Sequence, residues 1–101
     1  MQPTYWMTYY DAACVHAVLA RVALNDYRKS QAERQRLAQR DLDRSLELLE
    51  KARATGEFKG MIRLDEVARD PTLDLPRADS RFQRLMMELM DSIFPDHVFA
   101  P

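Results

Sequence analysis

Glycine is almost missing from this chain. Only Gly56 and Gly60 occur in 101 residues. A sheet protein of that length needs more turn glycines, so helix is favoured from the outset. Cysteine is scarcer still: Cys14 stands alone, which excludes an internal disulfide and fits a reducing compartment. Long apolar runs are also lacking. The most apolar stretch, Ala12 to Leu24, is interrupted by His16 and Arg21 and falls short of the ~20 residues a membrane helix needs. The segment from Met1 to Trp6 has no basic region followed by an apolar run, so no signal peptide is expected and a cytoplasmic location is. Charge of one sign is not in excess either. The formal net charge of −1 gives no global pull towards nucleic acid or an anionic membrane.

What the chain does contain is an ordinary globular mixture, 47% hydrophobic and 31% charged, in a length suited to one domain. The expectation is a single all-α domain over residues 1–101, with tails at 1–8 and 94–101. A first helix is expected from about Tyr9 to Leu24, with Asp11 in its first turn where the helix dipole favours an anion, and Asn25-Asp26 as its stop. Ala13, Ala17 and Ala20 define one side of it, and Val15, Leu19 and Val22 another. A helix apolar nearly all round is expected to be sandwiched between other helices or covered by another chain.

A longer second helix is expected from about Lys29 to Ala54. Ser30 is its cap, Glu33 the partner in a capping box, and Gly56 its terminator. Leu42, Leu46, Leu49 and Ala52 form its buried stripe, while the polar part from Lys29 to Arg40 projects beyond the body. A short helix follows near Met61 to Ala68, facing inward through Met61, Leu64 and Val67 or Ala68. Pro71 and Pro76 make Asp70 to Arg77 an ordered loop or short turns, anchored by Leu73 and Leu75 between the second and last helices. The last helix runs from Ser80 to Ile93, with Phe82, Leu85, Met86, Leu89 and Ile93 inward and Pro95 after its end.

Tyr10, Ala13, Cys14 and Ala17 sit at the spacing of the first-helix signature of a tetratricopeptide repeat. Ser45, Leu49 and Ala52 match the second, with serine in the usual alanine place. Such a repeat needs small residues where its two helices cross closely. The first two helices therefore resemble one antiparallel tetratricopeptide hairpin with an extended second helix, about twenty residues being inserted in and around Asp26 to Arg40. The order continues with Leu48-Leu49-Glu50-Lys51-Ala52, Asp70-Pro71-Thr72-Leu73-Asp74 and Arg81-Phe82-Gln83-Arg84-Leu85-Met86. From about Tyr9 to Leu89 the chain is similar to the C-terminal tetratricopeptide-like segment of large planctomycete-type bacterial serine/threonine protein kinases. Leu75-Pro76-Arg77 departs from that pattern, which has proline before leucine. The resemblance implies either the C-terminal piece of a longer kinase or a short stand-alone relative. Kinase activity would lie outside this sequence, which contains no glycine-rich phosphate loop, no His-Arg-Asp and no Asp-Phe-Gly.

Catalytic and metal-binding readings find no support. Cys14 and His16 are two apart on a helix and point to different sides, so they are poorly placed to share a metal. Cys14 reads as a small packing residue. Asp41 with Asp43, and Glu47 with Glu50, lie among arginines and read as a solvated, ion-pairing face. No enzyme activity and no cofactor are expected. Between residues 28 and 44 six positive charges face three negative ones, and Lys29, Arg36, Arg40 and Arg44 can share one helix face. Nucleic-acid binding is the alternative function this run suggests, against a solvated face as the default, since no aromatic residue follows Tyr27 within it. Trp6 and Tyr10 are spaced to stack, either as a binding hot spot or as a cap over the open end of a truncated repeat array. The leading expectation is a protein-interaction module whose partner is its own parent chain or another protein. A homodimer burying Trp6, Tyr10 and the adjacent face of the first helix is the form expected of the isolated chain.

Overall fold

The computed structural model describes residues 7–60, 62 and 64–93. Among these the fold is all-helical. Helix α1 spans Tyr9–Leu24, α2 Gln31–Ala54, α3 Leu64–Arg69, a 3-10 turn Pro71–Leu73, α4 Asp74–Arg77 and α5 Ser80–Ile93. Met61 and Arg63 at the start of the expected short helix, Pro95 and the C-terminal tail lie outside the described residues.

Each long helix begins and ends where its local chemistry requires. Thr8 caps α1: its hydroxyl accepts from the Asp11 amide at 2.9 Å, and the Asp11 carboxylate receives the Thr8 amide, closing a capping box. Two further amides at this end, those of Tyr9 and Tyr10, donate to the Glu57 carboxylate at 2.9 and 3.0 Å. A residue 47 positions away thus satisfies donors that α1 itself leaves orphaned. Asn25 stops α1, as its sequence suggests. The Ser30 hydroxyl accepts from the Glu33 amide, so α2 starts one residue after Ser30 and Lys29 stays in the preceding turn. At the other end Gly56 takes φ +82, a conformation that costs other residues dearly. The Glu57 amide then reaches back to the Ala52 carbonyl and the Gly56 amide to the Arg53 carbonyl, a Schellman closure.

Helices α1 and α2 run antiparallel. Tyr9 lies beside Lys51, Ala13 meets Ser45, His16 pairs with Asp41, and Ala20 and Leu24 share a groove with Gln35 and Ala38. Pairing this far along α2 leaves only its first turn beyond the end of α1. The expected projection of the whole polar half is therefore reduced to residues 31–34, because Ala38 is buried.

Between the helices α1 contributes Ala13, Ala17 and Ala20, and α2 contributes Ser45, Leu46, Leu49 and Ala52, all buried. Small side chains let the backbones approach closely enough for the Ser45 hydroxyl to donate to the Ala13 carbonyl at 2.8 Å. Phe58, Ile62, Val67, Leu73, Phe82, Leu85 and Leu89 complete the core. The segment 70–77 is ordered, as its prolines suggest, but its seat differs from the expected one. The 3-10 turn packs on α1, and α4 touches α1, α2 and α5. Leu73 and Pro76 are the buried anchors, whereas Leu75 is half-buried. Arg77 clasps the segment from within, donating to the carbonyls of Val67 at 3.2 Å and Asp70 at 2.7 Å and to the Asp74 carboxylate at 2.8 Å.

Candidate functional site

The outer face of α1 is the feature that the packing leaves unexplained. Val15, Leu19 and Val22 follow one another at intervals of four and three residues, so they line one side of the helix. They are 48%, 44% and 58% exposed, and half-buried Val18 completes the stripe. The sandwiched placement expected for α1 is therefore not what the chain builds. Its alanine face is covered by α2, and its valine–leucine face is open. Asp11 continues the stripe at the N-terminal end, and Arg21 lies at its edge. The core chemistry of α1 gives no reason for four branched apolar side chains on the solvent side.

Of the residues singled out for partner binding, Trp6 lies outside the described residues. Tyr10 is buried. Its ring meets Phe58 edge-on with centroids 6.2 Å apart, and its hydroxyl donates to Asp70 at 2.7 Å. It holds α1 to the 70–77 segment and offers no surface to a partner. Burial, then the neighbouring Asp70, push the Tyr10 hydroxyl well above its ordinary pKa. Asp70 also receives the Thr72 hydroxyl at 2.7 Å and the Cys14 thiol at 3.7 Å. Burial alone would raise the Asp70 carboxyl, but these donors outweigh it and hold the group below its usual value. Burial pushes the Cys14 thiol up, so it is a poor nucleophile.

The four cations assigned to one helix face have different surroundings. Lys29 is in the turn before α2 and pairs with Asp26 at 2.9 Å; Arg28 takes the same carboxylate. Arg44 pairs with Glu47 at 3.0 Å. Arg34 lies over the Tyr27 ring, 4.8 Å from its centroid. Arg34, Arg36 and Arg40 are the members of the run left without an ion pair among the described residues. Elsewhere, Arg81 bridges α2 to α5 through Asp43, as Arg53 does through Glu88.

Cys14 and His16 face different partners, Asp70 and Asp41, on opposite flanks of α1. Among the described residues no three histidines, cysteines or carboxylates gather as metal ligands, and no helix is long and apolar enough to cross a membrane. The groove beside Ala20, Ala38, Leu42 and Leu75 holds about 280 Å3, with the amides of Gln35 and Gln39 as its polar groups. That set can donate and accept hydrogen bonds but offers no acid–base pair. Set against family models, curated proteins and solved structures, the chain returns no match.

Proposed function

We propose that this chain is a non-catalytic helical protein-interaction module, that its α1–α2 hairpin is of the tetratricopeptide type, and that it forms the C-terminal part of a larger serine/threonine protein kinase. The observation that carries the reading is the split character of α1. One side is a row of alanines against α2, and the opposite side is an uncovered apolar stripe. In a repeat array, a unit cannot bury both faces alone, and a neighbour covers the second one. The close crossing of Ala13 with Ser45 fits the small-residue requirement of such a hairpin. The order of motifs from Tyr10 to Met86 supplies the link to the kinase segment.

Photo-crosslinking in the producing cells tests this reading. A photoreactive residue replaces Leu19, and a control carries it at Arg36. Linkage from position 19 to a kinase chain or a second copy, with none from position 36, is expected. Absence of any protein linked through position 19 overturns the reading. Linkage of position 36 to nucleic acid, weakening as salt is raised, establishes the basic-helix alternative instead.

A further inference from the structure

We infer that the open face of α1 is a self-docking surface that takes the same face of a second copy, the two helices running antiparallel about a twofold axis. The inference rests on the reading of this face as a docking surface and adds its occupant.

The stripe is self-complementary. Val15, Val18, Leu19 and Val22 are arranged symmetrically about the midpoint between Val18 and Leu19. Turning a second copy end for end about that point sets Val15 against Val22 of the other copy and Val18 against its Leu19. A twofold interface requires this reciprocal match, because one surface must serve both sides.

The charges at the two ends also fit. Asp11 extends the stripe one turn towards the N-terminus. The same end-for-end operation brings it to the turn that follows α1 in the second copy, the turn that holds Asp26. That position is not a bare anion, since Asp26 already holds Arg28 at 2.9 Å and Lys29 at 2.9 Å. Two cations around one carboxylate leave a positive cluster, and the Arg28 side chain is 87% exposed. Each Asp11 therefore meets net positive charge, twice per dimer. A parallel arrangement would set Asp11 against Asp11 and basic turn against basic turn, and like charges so placed repel.

The size of the surface fixes the strength. A contact made of one short helix face from each copy belongs with the small interfaces of weak, transient complexes, for which a micromolar dimer is the expectation to test. A preceding helix in a longer chain would compete for the same stripe.

Single-cysteine cross-linking in the full chain reads out both pairing and direction. Cys14→Ser, which keeps a hydroxyl beside Asp70, supplies the background. Leu19→Cys, next to the axis, should form a disulfide dimer under mild oxidation. Val15→Cys and Val22→Cys should each stay uncoupled alone and link when mixed. Sedimentation of the unmodified chain at about 100 micromolar should show mostly dimer, and Leu19→Glu should shift it to monomer with unchanged helical circular dichroism. Self-linkage of Val15→Cys or Val22→Cys as fast as that of Leu19→Cys overturns the antiparallel arrangement. A monomer at that concentration with no disulfide from Leu19→Cys overturns self-docking. Position 19 photo-linking a different protein in that case would leave the docking reading standing, and no link at all would end both.

Discussion

The hydroxyl of Ser45 donates to the carbonyl oxygen of Ala13 at 2.8 Å, joining α2 to α1 where neither residue sees solvent. Ala13 is a residue with no side-chain bulk, and Ser45 brings one polar group that needs a partner. Each makes the other possible. Ser45→Ala should cost about 1 kcal/mol, the net worth of one neutral hydrogen bond. Ser45→Leu should cost ~1–3 kcal/mol by overpacking the crossing. Thermal unfolding followed by circular dichroism checks both, and a Ser45→Leu chain as stable as the parent would show that the helices are not in close contact.

Ala17 is 1% exposed on the same face of α1. Ala17→Asp would bury a charge without a partner, at a cost of several kcal/mol, enough to unfold a domain of this size. Val22→Asp, on the opposite face, should leave the stability of the monomer within ~0.5 kcal/mol of the parent when both are melted at concentrations too low for the dimer. The contrast between the two substitutions measures the split character of α1 directly.

Stability should fall at both ends of the pH scale, for reasons that meet at Tyr10. The folded pKa of Asp70 is depressed, so its contribution is present above the ordinary value of 3.8 and is lost as pH falls below it. The folded pKa of Tyr10 is raised. Its contribution is complete below 10.0 and is lost as pH climbs past that value, because the unfolded chain ionises there and the folded one does not. Cys14 adds a loss of the same sign beginning near 9.0. Tyr10→Phe should flatten the alkaline fall and also shrink the acid fall, since Asp70 loses a donor and its folded pKa returns towards the ordinary value. Urea titrations from pH 3 to pH 11 test this; an unchanged acid limb would mean that the hydroxyl does not hold the carboxylate.

Arg77 binds the carbonyls of Val67 and Asp70 with one nitrogen and the Asp74 carboxylate with another. Arg77→Ala should therefore loosen the segment from α3 to α4, with faster amide exchange over residues 64–77 and new proteolytic cleavage there. Arg77→Lys should restore little, because an ammonium lacks the planar fork. In the parent chain, rapid cleavage between Asp70 and Arg77 would contradict the ordered turn.

Much of this architecture is local and was therefore legible in the residues. The bounds of α1 and α5, the caps at Ser30 and Gly56 and the inward set Phe82, Leu85 and Leu89 depend on neighbours within a few positions. The capping box at Thr8 and Asp11 was equally available, in a Thr-x-x-Asp spacing ahead of the apolar run. Tyr10 was harder to place. Spacing allowed it to stack on Trp6, as a binding hot spot or as a cap over an open repeat end, yet its place depends on Asp70, sixty positions away. The carboxylate of Glu57 at the start of α1 is of the same kind.

The sequence by itself determined that the chain is helical, where its long helices begin and end, and that α1 carries apolar residues on more than one side. Helix formation follows from bonds and caps spanning four residues or fewer, which are written in consecutive positions. Only the tertiary structure decided that the valine–leucine side of α1 is left open. Both faces were hydrophobic enough to be core, and hydrophobicity has no direction. Size broke the tie. The alanines allow α2 to approach until Ser45 reaches the Ala13 carbonyl, and valine or leucine at those positions would hold the helices apart. The branched residues were left facing outward, where a second surface can meet them.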